Sequence, residues 1–216
     1  MSELEILKIV ASVLALVVAV VGHEIMHGWV AYRYGDTTAK SLGRLSINPL
    51  RHIDPVGTIL VPGMLYAMQA PFLFGWAKPV PIDMNTVLRN GGYGAAIAVS
   101  LAGITYNLVL AVLAATLLPL AYPPQSLMGA FAYLFLAQSV MINVVLAVFN
   151  LWPIPPLDGS QALRFFAAKM GWRSFVEAYE KIYPYGMILL FAILFTPLAQ
   201  ILFAPVGWIL KLIIPG

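Results

Sequence analysis

Residues 7–32 read LKIVASVLALVVAVVGHEIMHGWVAY, an apolar run that ends in two histidines and a glutamate. The run is longer than the roughly 20 residues that an α-helix needs to cross about 30 Å of hydrocarbon. We therefore expect a membrane-spanning helix whose last turns carry ionisable groups. Such groups cost at least about 2.5 kcal/mol for an acid at mid-bilayer, and they persist there mainly for function.

The composition of the whole chain agrees with a membrane protein. Its 216 residues are 61% hydrophobic and 10% charged, whereas soluble domains are about 45–50% apolar and about 25% charged. This balance excludes an ordinary cytosolic enzyme, a disordered tail and a nucleic-acid partner. Because the chain has no cysteine, disulfides, thiolate metal sites and a cysteine nucleophile are excluded as well.

Further apolar runs predict the rest of the fold. Residues 93–120 and 130–152 are each long enough to span, and residues 183–214 form one kinked helix or a helix with a short return. Residues 55–75 are apolar but broken by proline and glycine, so they either span weakly or re-enter. The expected fold is an all-α polytopic membrane protein with about four to six transmembrane helices and a short membrane-associated β or re-entrant segment.

The distribution of positive charge predicts which loops are cytoplasmic. Lysine and arginine collect after the first run and again over residues 164–181, while the turn at residues 122–126 has neither. By the positive-inside rule the two basic regions face the cytoplasm. Re-entry of residues 55–75 keeps both on the same side. We expect a multi-pass protein of the cell membrane, with its polar site toward the cytoplasm.

The polar end of the first run has the spacing of a metal site. His23 and His27 are four residues apart and therefore share one face of a helix, where two imidazoles can bind one metal ion. Glu24 lies beside them and can take a proton from the attacking water, as in the HExxH pattern of zinc hydrolases. Alternatively, the histidines hydrogen-bond between helices and Glu24 pairs with an arginine.

A catalytic zinc site needs a third protein ligand. Asp158 stands out because it ends a long uncharged interval in the segment NLWPIPPLDG, residues 150–159. Its prolines predict an extended stretch at membrane depth, which is tolerated only inside protein or along a wet cavity. A purely structural alternative is that Asp158 caps the helix that begins near Ser160. The other candidates are His52, Asp36, Asp54, Asp83, Glu177 and Glu180.

These motifs resemble the site-2 protease family of intramembrane zinc metalloproteases, peptidase family M50. The resemblance rests on HExxH at residues 23–27 and NxxPxPPLDG at residues 150–159. Between them, NPxxHIDPxG at residues 48–57 and GWAKPVP at residues 75–81 look like the small prokaryotic branch. LAGxxxN at residues 101–107 resembles the LAGPxxN motif of the family, with Ile104 in place of the proline.

The resemblance implies a function and a set of residues. One zinc ion per chain is expected on His23, His27 and Asp158, with Glu24 as general base and Asn150 stabilising the oxyanion or orienting the substrate. The substrate is expected to be a transmembrane protein within the lipid bilayer, cut in or near its spanning segment. The sequence does not define the oligomeric state.

Other polar or bend-forming positions are candidates for support of the site or for substrate contact. His52 and Asp54 lie in a proline-bounded loop, and Asn107 is expected to hydrogen-bond between helices. The segments around Gly75 and Pro155 are expected to be extended, and each could hold a substrate strand by strand addition.

We expect residues 1–216 to form one membrane-embedded domain. Its parts are the HExxH helix at 7–32, a loop and re-entrant region at 33–92, helices at 93–120 and 130–152, the segment 150–159 and C-terminal helices at 160–214. Two other functions remain open: a membrane metal transporter that uses the same His-His-Asp site, and an inactive substrate-binding relative.

Overall fold

The computed structural model describes residues 2–69 and 74–214, which fold almost entirely as helices. In chain order the α-helices are α1 (Glu3–Arg33), α2 (Thr38–Ser41), α3 (Pro55–Ala67), α4 (Met84–Leu117), α5 (Leu127–Leu151), α6 (Asp158–Lys169), α7 (Arg173–Ile182), α8 (Gly186–Leu194) and α9 (Leu198–Ile213). Short 3-10 helices cover Pro49–His52, Leu118–Ala121 and Tyr183–Tyr185. No β-strand occurs within these two ranges, which confirms the all-α class.

Three of these helices have the length and hydropathy to cross a membrane. They are α1, α4 with its extension to Ala121, and α5. A fourth span results if residues 173–213 count as one unit, although the chain bends by 81° between α8 and α9. This count reaches the lower end of the predicted range of four to six. The bend lies at Pro197, where the sequence predicted a kink or a return.

Helix α1 begins and ends at local signals. The Ser2 hydroxyl accepts from the Glu5 amide while the Glu5 carboxylate accepts from the Ser2 amide, a reciprocal cap for the first turn. Arg33 lies in the last turn, where a cation stabilises the helix dipole. Gly35 then takes φ of 89°, a left-handed conformation that favours glycine and turns the chain away.

Helix α4 starts earlier than the predicted residue 93. The Asp83 carboxylate caps it by accepting from the Asn85 amide and the Thr86 hydroxyl, and the bond from Thr86 lowers the pKa of Asp83. Gly92 interrupts the helix with φ of 63°, so that the chain kinks there instead of ending. The predicted start near residue 93 therefore lies at this bend, inside the helix.

Small residues let the spanning helices pack closely. The buried face of α1 carries Ala11, Ala15 and Ala19 at a spacing of four residues. Alanines of α4 meet valines of α5 in a shared cluster whose members include Ala111 and Val144. Helices in lipid gain little from the hydrophobic effect between them, so close backbone approach through small residues is a main source of their packing energy.

Residues 76–78 lie beside residues 52–57, at the start of α3. After α3, whose first turns are π-helical, the chain comes back so that the Trp76 amide donates to the Gly57 carbonyl (3.1 Å) and the Lys78 amide to the His52 carbonyl (2.8 Å). The contact between Trp76 and Gly57 is one that the re-entrant alternative for residues 55–75 requires. Alternate amides at Trp76, Lys78 and Val80 are hydrogen-bonded, the pattern of an extended chain, but the predicted β segment does not form within residues 74–83. Residues 70–73 of this region lie outside the described residues.

The prolines after α5 end that helix and set the start of α6. The prediction that residues 153–157 are extended is wrong, because they form a turn in which the Leu157 amide donates to the Ile154 carbonyl (2.9 Å). Trp152 follows the last turn, and its indole nitrogen donates to the Leu202 carbonyl of α9 (2.9 Å). Gly159 lies directly against the backbone carbonyl of Leu151, where a side chain has no room. Because of this close contact the first residue of α6, Asp158, is held beside the end of α5.

Asp36 links the end of α1 to the start of α4, the two helix ends that the sequence predicts to face the cytoplasm. It is only 2% exposed, and its two carboxylate oxygens accept from the Thr38 amide (2.9 Å) and the Asp83 amide (2.8 Å). Asp36 was one of the alternative metal ligands on sequence grounds. The structure instead uses both oxygens as acceptors for backbone donors, and these bonds fix where the chain enters α4.

We predict that Asp36→Ala destabilises the fold. Each buried amide left without an acceptor costs about 1–3 kcal/mol, so the unfolding midpoint in detergent should fall by several degrees. Asp36→Asn keeps one acceptor oxygen and should lose less. Thermal unfolding followed by circular dichroism measures both variants, and equal stability of Asp36→Ala and the wild type contradicts the prediction.

Candidate active site

Three side chains of types that can bind a metal ion lie together between α1 and α6. His23 and His27 lie on one face of α1, each 8% exposed, and Asp158 comes from the first turn of α6. The Oδ2 atom of Asp158 lies 3.0 Å from His23 Nε2 and 3.2 Å from His27 Nε2, and the two Nε2 atoms are 3.1 Å apart. Within residues 2–69 and 74–214 this is the one group of three such side chains placed to hold a metal.

Hydrogen bonds behind the rings assign the tautomer of both histidines. His27 Nδ1 lies 2.7 Å from the carbonyl oxygen of Val99, which can only accept, so Nδ1 carries the proton. His23 Nδ1 lies 2.6 Å from Asn107 Oδ1; the amide nitrogen of Asn107 faces the Ala19 carbonyl, which orients its oxygen toward the ring. In the neutral rings, therefore, both Nε2 atoms present lone pairs to Asp158.

The donor set fits a divalent metal ion. Two Nε2 lone pairs and Asp158 Oδ2, a buried oxygen without a hydrogen-bond donor in the described structure, point at one another. A proton can bridge only one pair of these atoms, whereas a cation at their centre satisfies all three. Their separations of 3.0–3.2 Å approach the roughly 3.3 Å between ligands of a tetrahedral zinc ion with bonds of about 2.0 Å.

The sequence offered capping of α6 as a structural role for Asp158. The structure places Leu157, not Asp158, at the cap position, and no side chain caps this end within the described residues. The hydroxyl of Ser160 turns back to the Leu157 carbonyl (2.6 Å). The first turn of a helix favours a carboxylate through its unpaired amides, so α6 supports the negative charge of Asp158 where it faces the histidines.

A row of buried amides supports His23 from behind. Asn107 of α4 accepts from His23 and donates to Asn143 Oδ1 (2.8 Å), and Asn143 of α5 in turn donates to the Ser139 carbonyl (2.8 Å). Both asparagines are fully buried. The expectation that Asn107 bonds between helices agrees with these contacts. Asn143 was missed, although an asparagine within an apolar helix was a signal for it.

Gly103 forms the wall of the site on α4. A Cβ atom at this position would lie 2.5 Å from Nε2 of both His23 and His27, well inside van der Waals contact. The LAGxxxN motif thus places a residue without a side chain at position 103 and a hydrogen-bond acceptor, the Asn107 side chain, at position 107. The two residues are one turn apart on the same face of α4. From the sequence, Gly103 is recognisable only as part of a family motif.

Glu24 lies beside the cluster on the half-buried side of α1. Its Oε2 accepts from the Val80 amide (2.9 Å), which links the HExxH helix to the extended segment after α3. Its other oxygen, Oε1, receives no hydrogen bond from the part of the chain that the structure describes. One oxygen of the carboxylate is therefore held and the other is available to a reactant.

Asn150 lies in the last turn of α5 and is partly buried. Its side-chain nitrogen donates to the Leu146 carbonyl of the preceding turn (3.0 Å), so one of its two N–H groups is used within α5. The second N–H group has no partner among the described residues. The structure thus leaves Asn150 with one hydrogen-bond donor to offer.

The remaining candidates hold the loops in place. His52 is 3% exposed and lies outside the ligand cluster, with Nε2 2.8 Å from the Ser46 carbonyl. Asp54 caps α3 by accepting from the amides of its first turn. Gly75 approaches the Gly57 carbonyl too closely for a side chain, and Pro155 is buried against Gly186 in the same way.

The architecture that these contacts define is that of a membrane metalloprotease: an HExxH helix that spans, with a carboxylate from a later helix facing its histidines. A model of peptidase family M50 matches residues 121–194, which include Asp158 but not the HExxH helix. No solved structure matches this chain.

Two relatives match most of this chain. YwhC of Bacillus subtilis, whose name provisionally describes a zinc metalloprotease, is 36% identical over 197 residues, 89% of this chain and 84% of YwhC. Rip2 of Mycolicibacterium smegmatis, with the same provisional description, is 30% identical over 175 residues, 81% of this chain and 62% of Rip2. The chain belongs to peptidase family M50, the site-2 protease family.

We predict that Gly103→Ala abolishes metal binding, because its methyl group occupies the space in front of both Nε2 atoms. Gly94→Ala is the matched control on α4, since a Cβ there meets no atom within 4 Å. Metal content per purified chain, measured by mass spectrometry, should stay near the wild-type value in the control and fall to a small fraction in Gly103→Ala. Full metal content in Gly103→Ala would place the ion elsewhere.

We further predict that Asn107→Ala weakens zinc binding by about 10- to 100-fold, because His23 loses the acceptor that holds its ring. Asn143→Ala, which removes only the partner of Asn107, should have a smaller effect. Thr105→Ala, on the exposed side of the same helix, is the control. Competition with a chelator of known affinity measures all three, and a wild-type affinity for Asn107→Ala would contradict the supporting role.

Proposed function

We propose that this chain is an intramembrane zinc endopeptidase that cuts transmembrane proteins in or near their spanning segments. The observation that carries the proposal is the convergence of His23 Nε2, His27 Nε2 and Asp158 Oδ2 inside an apolar bundle, with Glu24 beside them. Membership of family M50 supports the same reaction. Peptide-bond hydrolysis at this depth would be the function that offsets the cost of burying these groups.

In this proposal one zinc ion per chain is held by His23, His27 and Asp158. The bound ion supplies Lewis-acid chemistry at the scissile carbonyl and at the attacking water. Val99 and Asn107 hold the histidine rings in the tautomer that leaves Nε2 free. Gly103 leaves the space between α1 and α4 clear for these atoms.

Glu24 is the proposed general base. Its Oε1 takes a proton from the attacking water and delivers it to the nitrogen of the leaving amine, while Oε2 stays on the Val80 amide. Asn150 is the proposed donor to the developing oxyanion, using the N–H group that Leu146 does not engage. Together these residues cover proton transfer and charge stabilisation.

The proposed substrate is a single transmembrane segment in extended form, since a helix does not expose its peptide bonds. The strand-like residues 76–81 use the amides of Trp76, Lys78 and Val80 for bonds within the protein. Backbone groups alternate in direction along an extended chain, so Ala77 and the carbonyls of Pro79 and Pro81 face the other edge. Strand addition there would hold the substrate.

We also propose that residues 1–216 act as one domain in the cell membrane, with the site toward the cytoplasm. Basic residues follow α1, flank the start of α4 and recur in α6 and α7, while the turn between α4 and α5 has no charge. The positive-inside rule orients the bundle accordingly. Water then reaches the metal ligands from the cytoplasmic end of α1.

We predict that Glu24→Gln keeps zinc and loses at least about 100-fold in cleavage rate, because the amide cannot accept the proton. Asp158→Ala should lose both zinc and cleavage, while Glu180→Ala, an exposed acid paired with Arg164, should lose neither. Purified protein is reconstituted in vesicles with a mixture of single-span membrane proteins, and new peptide ends are identified by mass spectrometry.

The possible outcomes separate the proposed roles. Cleavage by Glu24→Gln would remove Glu24 as base, and full zinc content in Asp158→Ala would remove Asp158 as ligand. Zinc entry into sealed vesicles that Asp158→Ala abolishes, without any new peptide ends, would show a transporter instead of a protease. No cleavage and no transport by zinc-loaded wild type would indicate an inactive relative.

A further inference from the structure

The extended segment after α3 presents a single backbone donor to α1. In Pro79-Val80-Pro81 only Val80 has an N–H group, because proline nitrogens carry none. That amide donates to Glu24 Oε2 at 2.9 Å, although the two residues are far apart in the chain. The bond therefore joins the candidate base to a segment that contributes nothing to the metal cluster.

Packing brings this amide close to α1. The Val80 side chain is 7% exposed and lies over Gly28, where a Cβ atom would approach Val80 Cγ1 to 2.8 Å. Gly28 follows Glu24 by four residues and so lies on the same face of α1, one turn away. The missing side chain at residue 28 gives the extended segment the space to approach the helix at Glu24.

Hydrogen bonds on both sides fix the backbone around Val80. Upstream, the Lys78 amide donates to the His52 carbonyl (2.8 Å). Downstream, the Asp83 amide donates to the buried carboxylate of Asp36 (2.8 Å). The Val80 amide is thus presented from an anchored stretch of backbone.

We propose that the Val80 amide is a positioning group for Glu24, an inference that rests on the proposed protease function. The amide holds Oε2 in one place and so turns Oε1 toward the reacting atoms, which raises the fraction of molecules with the base correctly oriented. A hydrogen bond to a charged acceptor is strong enough for this purpose. The Pro-Val-Pro sequence limits the donors in this stretch to the one that Glu24 uses.

A pair of proline substitutions tests the proposal. Val80→Pro removes the N–H group, and we expect kcat to fall by about 10- to 100-fold with KM and zinc content near the wild-type values. Ile82→Pro is the matched control, because the Ile82 amide has no partner among the residues that the structure describes and lies outside the proposed substrate edge. Equal losses in the two variants, or a wild-type kcat for Val80→Pro, overturn the proposal.

A second measurement does not depend on proteolysis. Residue-resolved hydrogen exchange should show a protected Val80 amide in the wild type and faster exchange in Glu24→Ala. Glu177→Ala, an exposed acid on α7, should leave that amide protected. Unchanged exchange in Glu24→Ala would show that the bond is not formed and would overturn the proposal.

The two measurements keep this inference distinct from the proposed function. If zinc-loaded wild type cleaves no membrane protein, the protease function fails and the positioning role fails with it. If the wild type cleaves and Glu24→Gln does not, the protease function stands. In that case the kcat of Val80→Pro against Ile82→Pro, together with the exchange rate of Val80, decides the role of the amide by itself.

Discussion

The convergence of two imidazole nitrogens and one carboxylate oxygen among apolar helices is the constraint on which the rest of the structure depends. Such groups are stable in a bundle only if every polar atom has a partner. Val99 and Asn107 occupy the outer nitrogens of the rings, and the inner atoms face one another. The glycine at residue 103 and the placement of α6 both follow from the need to bring three ligands to one point.

The region between α1 and α4 is held beside the site by hydrogen bonds of its own. Most of its hydrogen bonds close local turns. The amides of Trp76, Lys78, Val80 and Asp83 instead donate to acceptors far away in the chain, so this segment is held in place without belonging to a sheet. Asp36 and Asp54, both acids in this region, use their charge to accept backbone donors. The polar residues of the chain therefore divide into a group that faces the cluster and a group that shapes the backbone around it.

The sequence was informative about elements whose signal is local and less so about pairings. The ends of α1 and α5 could be placed because hydrophobic length and turn residues determine them, and His23 with His27 could be paired because four residues make one helical turn. Asn143 could not be linked to Asn107, since their contact depends on how two helices rotate against each other. The acceptor at Val99 is a backbone carbonyl, which every residue has, so its bond to His27 could not be predicted from residue types.

The bond between Asn107 and Asn143 has a consequence for how the protein responds to its lipid surroundings. Apolar helices can slide and rotate against one another with little change in energy, because one aliphatic contact replaces another. Two buried amides that must meet set the axial register and the rotation of α4 against α5. A thicker or thinner bilayer is then accommodated by tilt of the whole bundle or by movement of its C-terminal helices. The geometry around the histidines therefore stays the same when the hydrophobic thickness changes.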